Sequence, residues 1–578
     1  MKQLLSVLRP SWLPVSLVIV LTFLQSLSTL YLPRLMADIV DNGVIKSDIH
    51  YIFVMGGVML GVTVLGVGFS VAAGYLASKV AAEFGRVIRN NIFRHVESFM
   101  PHEFDQIGTS SLIVRSTNDV MQVQQFVNML LRMMVTAPLM ALGGIIMAVS
   151  TNAQLSSVLV IILPLLAVSV YIILKRGTVL FQWMQSSVDV LNRVVRETLT
   201  GIRIIRTFGR DDYEEARFQD ANSRLTDVSI EVNTLMALLL PLVMLIINLS
   251  IIAILWYGGK EVGAHTLAIG NLMAFIQYIT QIMFSTMMVS AMFFMIPRAQ
   301  ASATRINDIF HFSPQVRDKE NALQEPGSSL SWPPLRFDDV SFQYPGASTP
   351  VLSHLSFDIP RGKVTAVIGG TGAGKTTLLN LIPRFFDATD GQILLDGVDV
   401  RDLSQKAVRS RIAYVPQRAV VFSGTIADNI RFGNPDASAA DVKVAAGIAQ
   451  AAEFISQLPN EWDFVVNQDG TNLSGGQKQR LAIARALVKP AEIYLFDDSF
   501  SALDYQTDRN LRDALRKSLK DAAIILVSQR VHTVMDADHI LVLDEGRLAG
   551  LGTHEELMNR CPVYQEIVRT QLSKEVSA

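Results

Sequence analysis

Cysteine is nearly absent: Cys561 is the one thiol among 578 residues. That excludes a disulfide scaffold, and a lone cysteine near the C-terminus offers packing rather than redox chemistry. Charge is scarce as well, at 18% of residues, and the formal net charge is −2. A balance so close to neutral gives no footing for a nucleic-acid partner. No internal repeat or low-complexity tract occurs. Where charge is missing altogether is more telling. No Asp, Glu, Lys or Arg lies within residues 10–33, 51–78, 133–174, 232–259 or 262–297. Half of all residues are hydrophobic, mean hydropathy is +0.33, and all five runs fall in the first 300 residues.

A membrane span needs about 20 apolar residues to cross a hydrocarbon core of about 30 Å. The third run is about twice that length, and the polar turn Thr151-Asn152-Ala153-Gln154 divides it, so six spans are expected. The alternative is a set of buried helices in a large soluble protein. The first run follows Lys2 and Arg9 as a signal peptide would. No A-x-A-like cleavage site follows it, and it is expected to stay as a helix. Residues 79–132 carry six Lys or Arg and residues 175–231 carry nine, whereas Arg34, Lys46 and Lys260 are all that the other loops hold. Basic residues stay in the cytoplasm, which places both long loops and both termini there. These loops, over 86–99 and 194–218, show apolar residues at three- and four-residue spacing. They predict that the second to fifth membrane helices continue into the cytosol. Pro, Gly and Ser in 101–111 mark a short transverse element between two of them.

Residues 313–334 are polar and carry Pro314, Pro326, Gly327, Pro333 and Pro334, the composition of a linker. Beyond them, apolar runs at 364–368, 412–415, 493–496, 524–527 and 540–543 alternate with amphipathic segments, as buried strands of an α/β domain do. The expected organisation is a six-span all-α membrane domain over 1–312, a linker over 313–334 and an α/β domain over 335–578.

Gly369-Gly370-Thr371-Gly372-Ala373-Gly374-Lys375-Thr376 fits G-x-x-x-x-G-K-[ST]. It sits after an apolar strand and before a helix expected to open at Thr377, the context that a phosphate-binding loop requires. Its glycines let backbone N–H groups close on phosphate oxygens. Lys375 would reach the terminal phosphates and Thr376 would ligate Mg²⁺. Asp497, at the end of an apolar strand, is placed to hold the same metal; the alternative is a buried strand-end carboxylate without a role. Together they imply ATP with Mg²⁺.

Leu473-Ser474-Gly475-Gly476-Gln477, continuing as Lys478-Gln479-Arg480-Leu481-Ala482-Ile483-Ala484-Arg485-Ala486-Leu487, resembles the signature of ATP-binding cassette (ABC) proteins. Phe104-Asp105 through Gly108 to Thr117-Asn118-Asp119, and Gly201-Ile202 through Phe208, resemble the cytosolic loops of six-helix exporters of that family. The resemblance spans the whole chain. It implies a type IV exporter fold followed by a P-loop nucleotide-binding domain. It further implies that Tyr344 stacks on adenine, that Thr377 lies with the nucleotide-binding residues, and that Gln417 joins the Mg²⁺ ligands and links nucleotide to membrane domain. Ser501-Ala502-Leu503-Asp504 would follow the metal-binding strand, and 101–111 would be a coupling helix. In this family, Ser474, Gly475, Gly476 and Gln477 act in trans on the nucleotide of another cassette. One chain therefore needs a second half.

Two residues depart from the pattern. Asp498 stands where the family carries a glutamate that orients or deprotonates the attacking water, and a displacement of about 1 Å costs on the order of 10²-fold. Gln529 replaces the histidine that faces the γ-phosphate; it can donate a hydrogen bond but cannot take up a proton or carry a positive charge. His532, three residues on, is expected to be an ordinary surface residue. Asn467-Gln468 replaces a Gly-Glu pair common ahead of the signature. The binding residues remain, so the chain resembles the degenerate subunit of bacterial heterodimeric multidrug exporters. That implies a partner with an intact glutamate and a bacterial plasma membrane. Met283, Phe284, Met287, Met288, Met292, Phe293, Phe294 and Met295 give the sixth span adaptable surface suited to a hydrophobic small-molecule substrate. Lipid-facing packing is the plainer reading of each. Three alternatives stay open: a homodimer in which Asp498 works, a siderophore-type importer with an added N-terminal domain (the first helix here starts near residue 12), and a regulatory ATP-binding subunit.

Overall fold

A computed structural model describes residues 2–325 and 333–576, the side chains of 2–3, 290–294 and 572–576 excepted. Pro326 and Gly327 of the expected linker therefore lie outside the described residues, as do the side chains of Met292, Phe293 and Phe294. The chain divides into two compact units. One comprises 1–98 and 107–312. The other comprises 313–578 together with the excursion 99–106.

Six helical segments in the first unit are long and apolar enough to cross a membrane. Ile49–Glu97 and Ser157–Thr207 have 49 and 51 residues, about 75 Å each at 1.5 Å per residue. Each exceeds the membrane by a wide margin. The turn after Thr151 forms as the polar run requires: Asn152 Oδ1 accepts from the N–H groups of Gln154 (2.8 Å) and Leu155 (2.9 Å). The fifth span is two helices, Asp211–Ala237 and Leu239–Gly263. Pro241 has no N–H to donate to the Ala237 carbonyl, so the ladder breaks there. The last helix, Ile269–His311, buries Phe275, Tyr278, Ile279, Ile282 and Met283 completely or nearly so. Met283 is thus core and not cavity surface, whereas Phe284 is exposed. Asp119, fully buried, ties this helix down by accepting from Ser302 Oγ (2.9 Å) and from Arg305.

The expected transverse element is shorter than 101–111. The helix Pro101–Ile107 stops at Gly108, whose φ of +79° only glycine adopts at no cost, and a new helix starts at Thr109. Residues 99–106 pack within the second unit. Buried Glu103 accepts from the N–H groups of Met100 (2.6 Å) and Gln315 (3.0 Å). The His102 ring lies 6.0 Å from that of Phe386.

The second unit is built on three sheets. Strands β1 (Leu335–Phe342), β2 (Leu352–Ile359), β4 (Asp390–Leu395) and β5 (Val398–Asp399) form an antiparallel sheet in the order β2-β1-β4-β5. A six-stranded sheet has the order β12-β11-β3-β10-β9-β6. Its members are β3 (Val364–Gly369), β6 (Ile412–Val415), β9 (Ile493–Asp497), β10 (Ala523–Val527), β11 (His539–Asp544) and β12 (Arg547–Gly552). The first five are parallel, and β12 joins antiparallel at the edge. β7 (Gly424–Thr425) pairs with β8 (Val465–Val466). Parallel strands point their carboxyl ends to one rim, which is where ligands bind in such sheets. Register aligns Val527 with both Asp497 and Val367, so the ends of β3, β10 and β9 lie side by side.

Candidate functional site

The phosphate-loop residues lie at that rim. Gly372 and Gly374 have φ of +85° and +93°, and the helix Lys375–Leu381 opens two residues earlier than the sequence predicts. Gly374 caps it in a left-handed conformation, where a Cβ would come within 2.6 Å of Leu352 Cδ2 and 3.2 Å of the Val351 carbonyl. Lys375 is buried and donates to the carbonyls of Gly369 (2.9 Å) and Gly370 (2.7 Å), curling its ammonium around the loop. Burial pushes its pKa down, and Asp498 and Asp497 oppose that.

Asp497, nearly fully buried, faces the Thr376 hydroxyl at 3.3 Å, with the Tyr414 hydroxyl 3.5 Å from its other oxygen. Its pKa is raised, first by burial and then by Asp498 nearby, against the hydrogen bond from Thr376. A buried carboxylate and a threonine hydroxyl side by side, next to a lysine and a helix N-terminus, form a donor set of oxygen ligands suited to Mg²⁺ beside phosphate. Asp498 has a φ of +45°. Burial raises its pKa too, while a backbone N–H bond from Gln529 lowers it. Exposed Gln417 reaches it only at 3.5 Å. Tyr344 is half-buried: its hydroxyl lies 3.0 Å from Thr377 Oγ1, and its ring meets Phe342 and Phe386 edge-on.

Ser474 caps the helix Gly475–Leu487 through a reciprocal pair: its Oγ accepts from Gln477 N–H (3.3 Å), and Gln477 Oε1 accepts from Ser474 N–H (2.8 Å). The sequence did not foresee Gln477 in that role. Exposed Gly475 and half-buried Gly476 leave the helix N-terminus open. Gln529 is exposed, and its carbonyl accepts from Gln571 Nε2 at 2.6 Å, which ties its loop to the C-terminal helix. His532 is half-buried rather than a surface residue, and its Nε2 lies 3.8 Å from the buried carboxylate of Asp508. Tyr414, Gln571 and the Arg530 bond to the Ser501 carbonyl (2.9 Å) carry no motif, so only the folded chain reveals them.

The profile of the ABC transporter transmembrane region matches residues 15–287, and that of the ABC transporter cassette matches 352–501. An uncharacterized ABC transporter ATP-binding protein of Mycobacterium tuberculosis is 40% identical over 98% of this chain and 97% of its own length. The chain belongs to the ABC transporter family. The uncharacterized ABC transporter ATP-binding protein YfiB of Bacillus subtilis is 36% identical over the full length of both chains. The ATP-dependent lipid A-core flippase of Vibrio vulnificus is 29% identical over 96% of this chain and 95% of its own. A solved bacterial Atm1-family ABC exporter with ATP bound superposes with a TM-score of 0.78, at 26% identity over 98% of this chain and 99% of that one. This ABC exporter is thus a multi-pass membrane half-transporter with one membrane domain fused to one cassette. Its cassette is an ATPase that uses ATP with Mg²⁺ to drive transport.

Proposed function

We propose that this half-transporter works in a heterodimer that exports hydrophobic or amphiphilic compounds by alternating access, and that its own ATP site holds nucleotide while hydrolysing it slowly. The observation that carries this reading is the split within one site. The binding set of Tyr344, the phosphate loop, Thr376 and Asp497 is assembled, while Asp498 and Gln529 occupy the two positions on which hydrolysis depends. In this reading Gly369 to Thr377 cradle the phosphates, and Thr376, Asp497 and Gln417 hold Mg²⁺. The capped but open end at Ser474, Gly475 and Gly476 completes the site of a partner with an intact glutamate. ATP binding closes the two cassettes, the long helices transmit closure, and hydrolysis at the partner's site resets the transporter. The basic bias of the long loops supports a plasma-membrane orientation with both termini cytoplasmic.

The turn between Ser157–Thr207 and Asp211–Ala237 supports a dimer. Leu199, Ile204 and Phe208 are each about two-thirds exposed or more, and in this reading they dock on the second half's cassette. The test is ATP hydrolysis by this chain purified alone and with its partner, including Asp498→Glu and a partner lacking its glutamate. Hydrolysis that needs the partner, and collapses when the partner's glutamate is removed, is the expected result. Robust hydrolysis by the chain alone would sink the proposal and make Asp498 a working base in a homodimer.

A further inference from the structure

The first unit contains a cavity of about 560 Å³ between four membrane helices. Gln25 comes from Trp12–Asp38, Ser70 from Ile49–Glu97, Gln125, Asn128 and Arg132 from Val120–Thr151, and Met288 from Ile269–His311. Seven of its twelve lining residues carry an amide or a hydroxyl, set in a wall that is mostly apolar, and no carboxylate is among them. The Arg132 guanidinium lies across the second of these helices at Gly74, where a Cβ would stand 3.7 Å from its Cζ. It has no hydrogen-bond or ion-pair partner among the described residues.

Depth follows from helix geometry. Arg132 is about 19 residues, or about 29 Å, from the Thr151 end of its helix, and Met288 is the same distance from Ile269. A hydrocarbon core is about 30 Å thick. With the orientation proposed above, Arg132 sits at the cytoplasmic rim of that core, level with the head groups of the inner leaflet. At that rim an arginine head is tolerated without a counter-charge, so what singles out Arg132 is that its guanidinium faces a cavity with no partner among the described residues. Arginine's planar fork matches phosphate and carboxylate oxygens, and the neighbouring amides and hydroxyls complete an anion's hydrogen bonds without competing charge. Met129, Met133 and Met288 line the same cavity and accept an alkyl chain of varied shape.

We propose that this cavity receives the anionic head group of the transported amphiphile, with Arg132 recognising its phosphate or carboxylate. The inference rests on amphiphile export as proposed above and adds the sign of the head group.

The test uses the full chain in neutral detergent with two lysolipids that carry the same fluorescent acyl chain, lysophosphatidylglycerol and lysophosphatidylcholine. Glycerol phosphate serves as the tail-free anion. The anionic lipid is expected to bind about tenfold tighter or more, the range of a hydrogen bond to a charged group. Arg132→Gln should erase that preference while leaving affinity for the choline lipid intact, which also shows that the variant is folded. Arg132→Lys should retain part of it, and Arg224→Gln, on an exposed helix face, should retain all of it. Equal affinity in the wild-type chain, or a preference that survives Arg132→Gln, overturns the head-group assignment while leaving amphiphile binding standing. Arg132-dependent binding of glycerol phosphate with neither lysolipid bound overturns it differently: the anion would be a soluble solute, and the amphiphile reading falls. Binding of none of the three overturns both.

Discussion

At the scale of single residues, the phosphate loop depends on backbone conformations that side chains forbid. Gly374 combines a φ of +93° with a Cβ position crowded by Leu352 and by the Val351 carbonyl, and backbone does not yield as a side-chain tip does. Gly374→Ala is expected to weaken ATP binding by about tenfold or more, since strain of this kind costs of order 1–3 kcal/mol before the clash is counted. Titration with a fluorescent ATP analogue measures it. Arg384 makes the opposite case, a charge held inside the second unit. It is 2% exposed and donates to Asp387 (2.7 Å) and to the carbonyls of Leu403 (3.0 Å) and Arg317 (3.1 Å). Arg384→Ala strands the buried carbonyl acceptors at about 1–3 kcal/mol each, whereas the partly exposed Asp387 carboxylate can be hydrated. The cassette's thermal unfolding should move down accordingly, and an unchanged midpoint would show that water satisfies the acceptors. The loop glycines were legible because one contiguous motif encodes them. Arg384 was not, because its partners lie at three separate places along the chain and its residue type ordinarily favours the surface.

At the scale of elements, uninterrupted apolar runs located the six spans and five parallel strands, because long charge-free runs mark the former and short ones between amphipathic segments the latter. They did not name the antiparallel sheet. In β1 the alternation fails after Phe337, where the register with β2 shifts around Asp339, whose φ is +48°. A bulge moves later side chains to the other face, so a pattern of period two no longer persists. The transverse helix was foreseen, but its end at Gly108 was not: the stretch reads as one element from Pro101 to Ser111, and a single glycine in it marks the stop. Glu103 fixes that element by accepting two backbone N–H bonds. A glutamine has one acceptor oxygen and would turn an NH₂ group toward a donor, leaving it unpaired at about 1–3 kcal/mol. Glu103→Gln should therefore loosen the helix Pro101–Ile107 from the cassette. Nucleotide binding should persist while substrate stimulation of ATP hydrolysis by the assembled transporter falls. Loss of ATP binding itself would instead place the defect inside the cassette.

At the scale of the whole molecule, exposure has two meanings, and distance along a helix separates them. Val160 and Ile161 are over 70% exposed near the start of Ser157–Thr207, where lipid covers them. Phe208 is 73% exposed at the other end of that helix, about 75 Å away by its 51 residues. A bilayer with its head groups is about 45 Å thick at most, so lipid cannot cover both. Phe208 stands in water, beside Ile204 and next to Gly209, whose φ of +60° turns the chain. A cluster of exposed apolar residues in water marks a protein contact. Because Phe208 packs on little within the chain, Phe208→Ser should leave the isolated chain's unfolding temperature nearly unchanged, as surface substitutions stay within about 0.5 kcal/mol. Removing a large aromatic from an interface costs about 2 kcal/mol or more when it is an anchor. Partner-dependent ATP hydrolysis should then fall by about tenfold or more, with a matching loss of co-purification. Equal activity in the variant would mean that the turn contacts nothing, and that the two halves communicate through other elements.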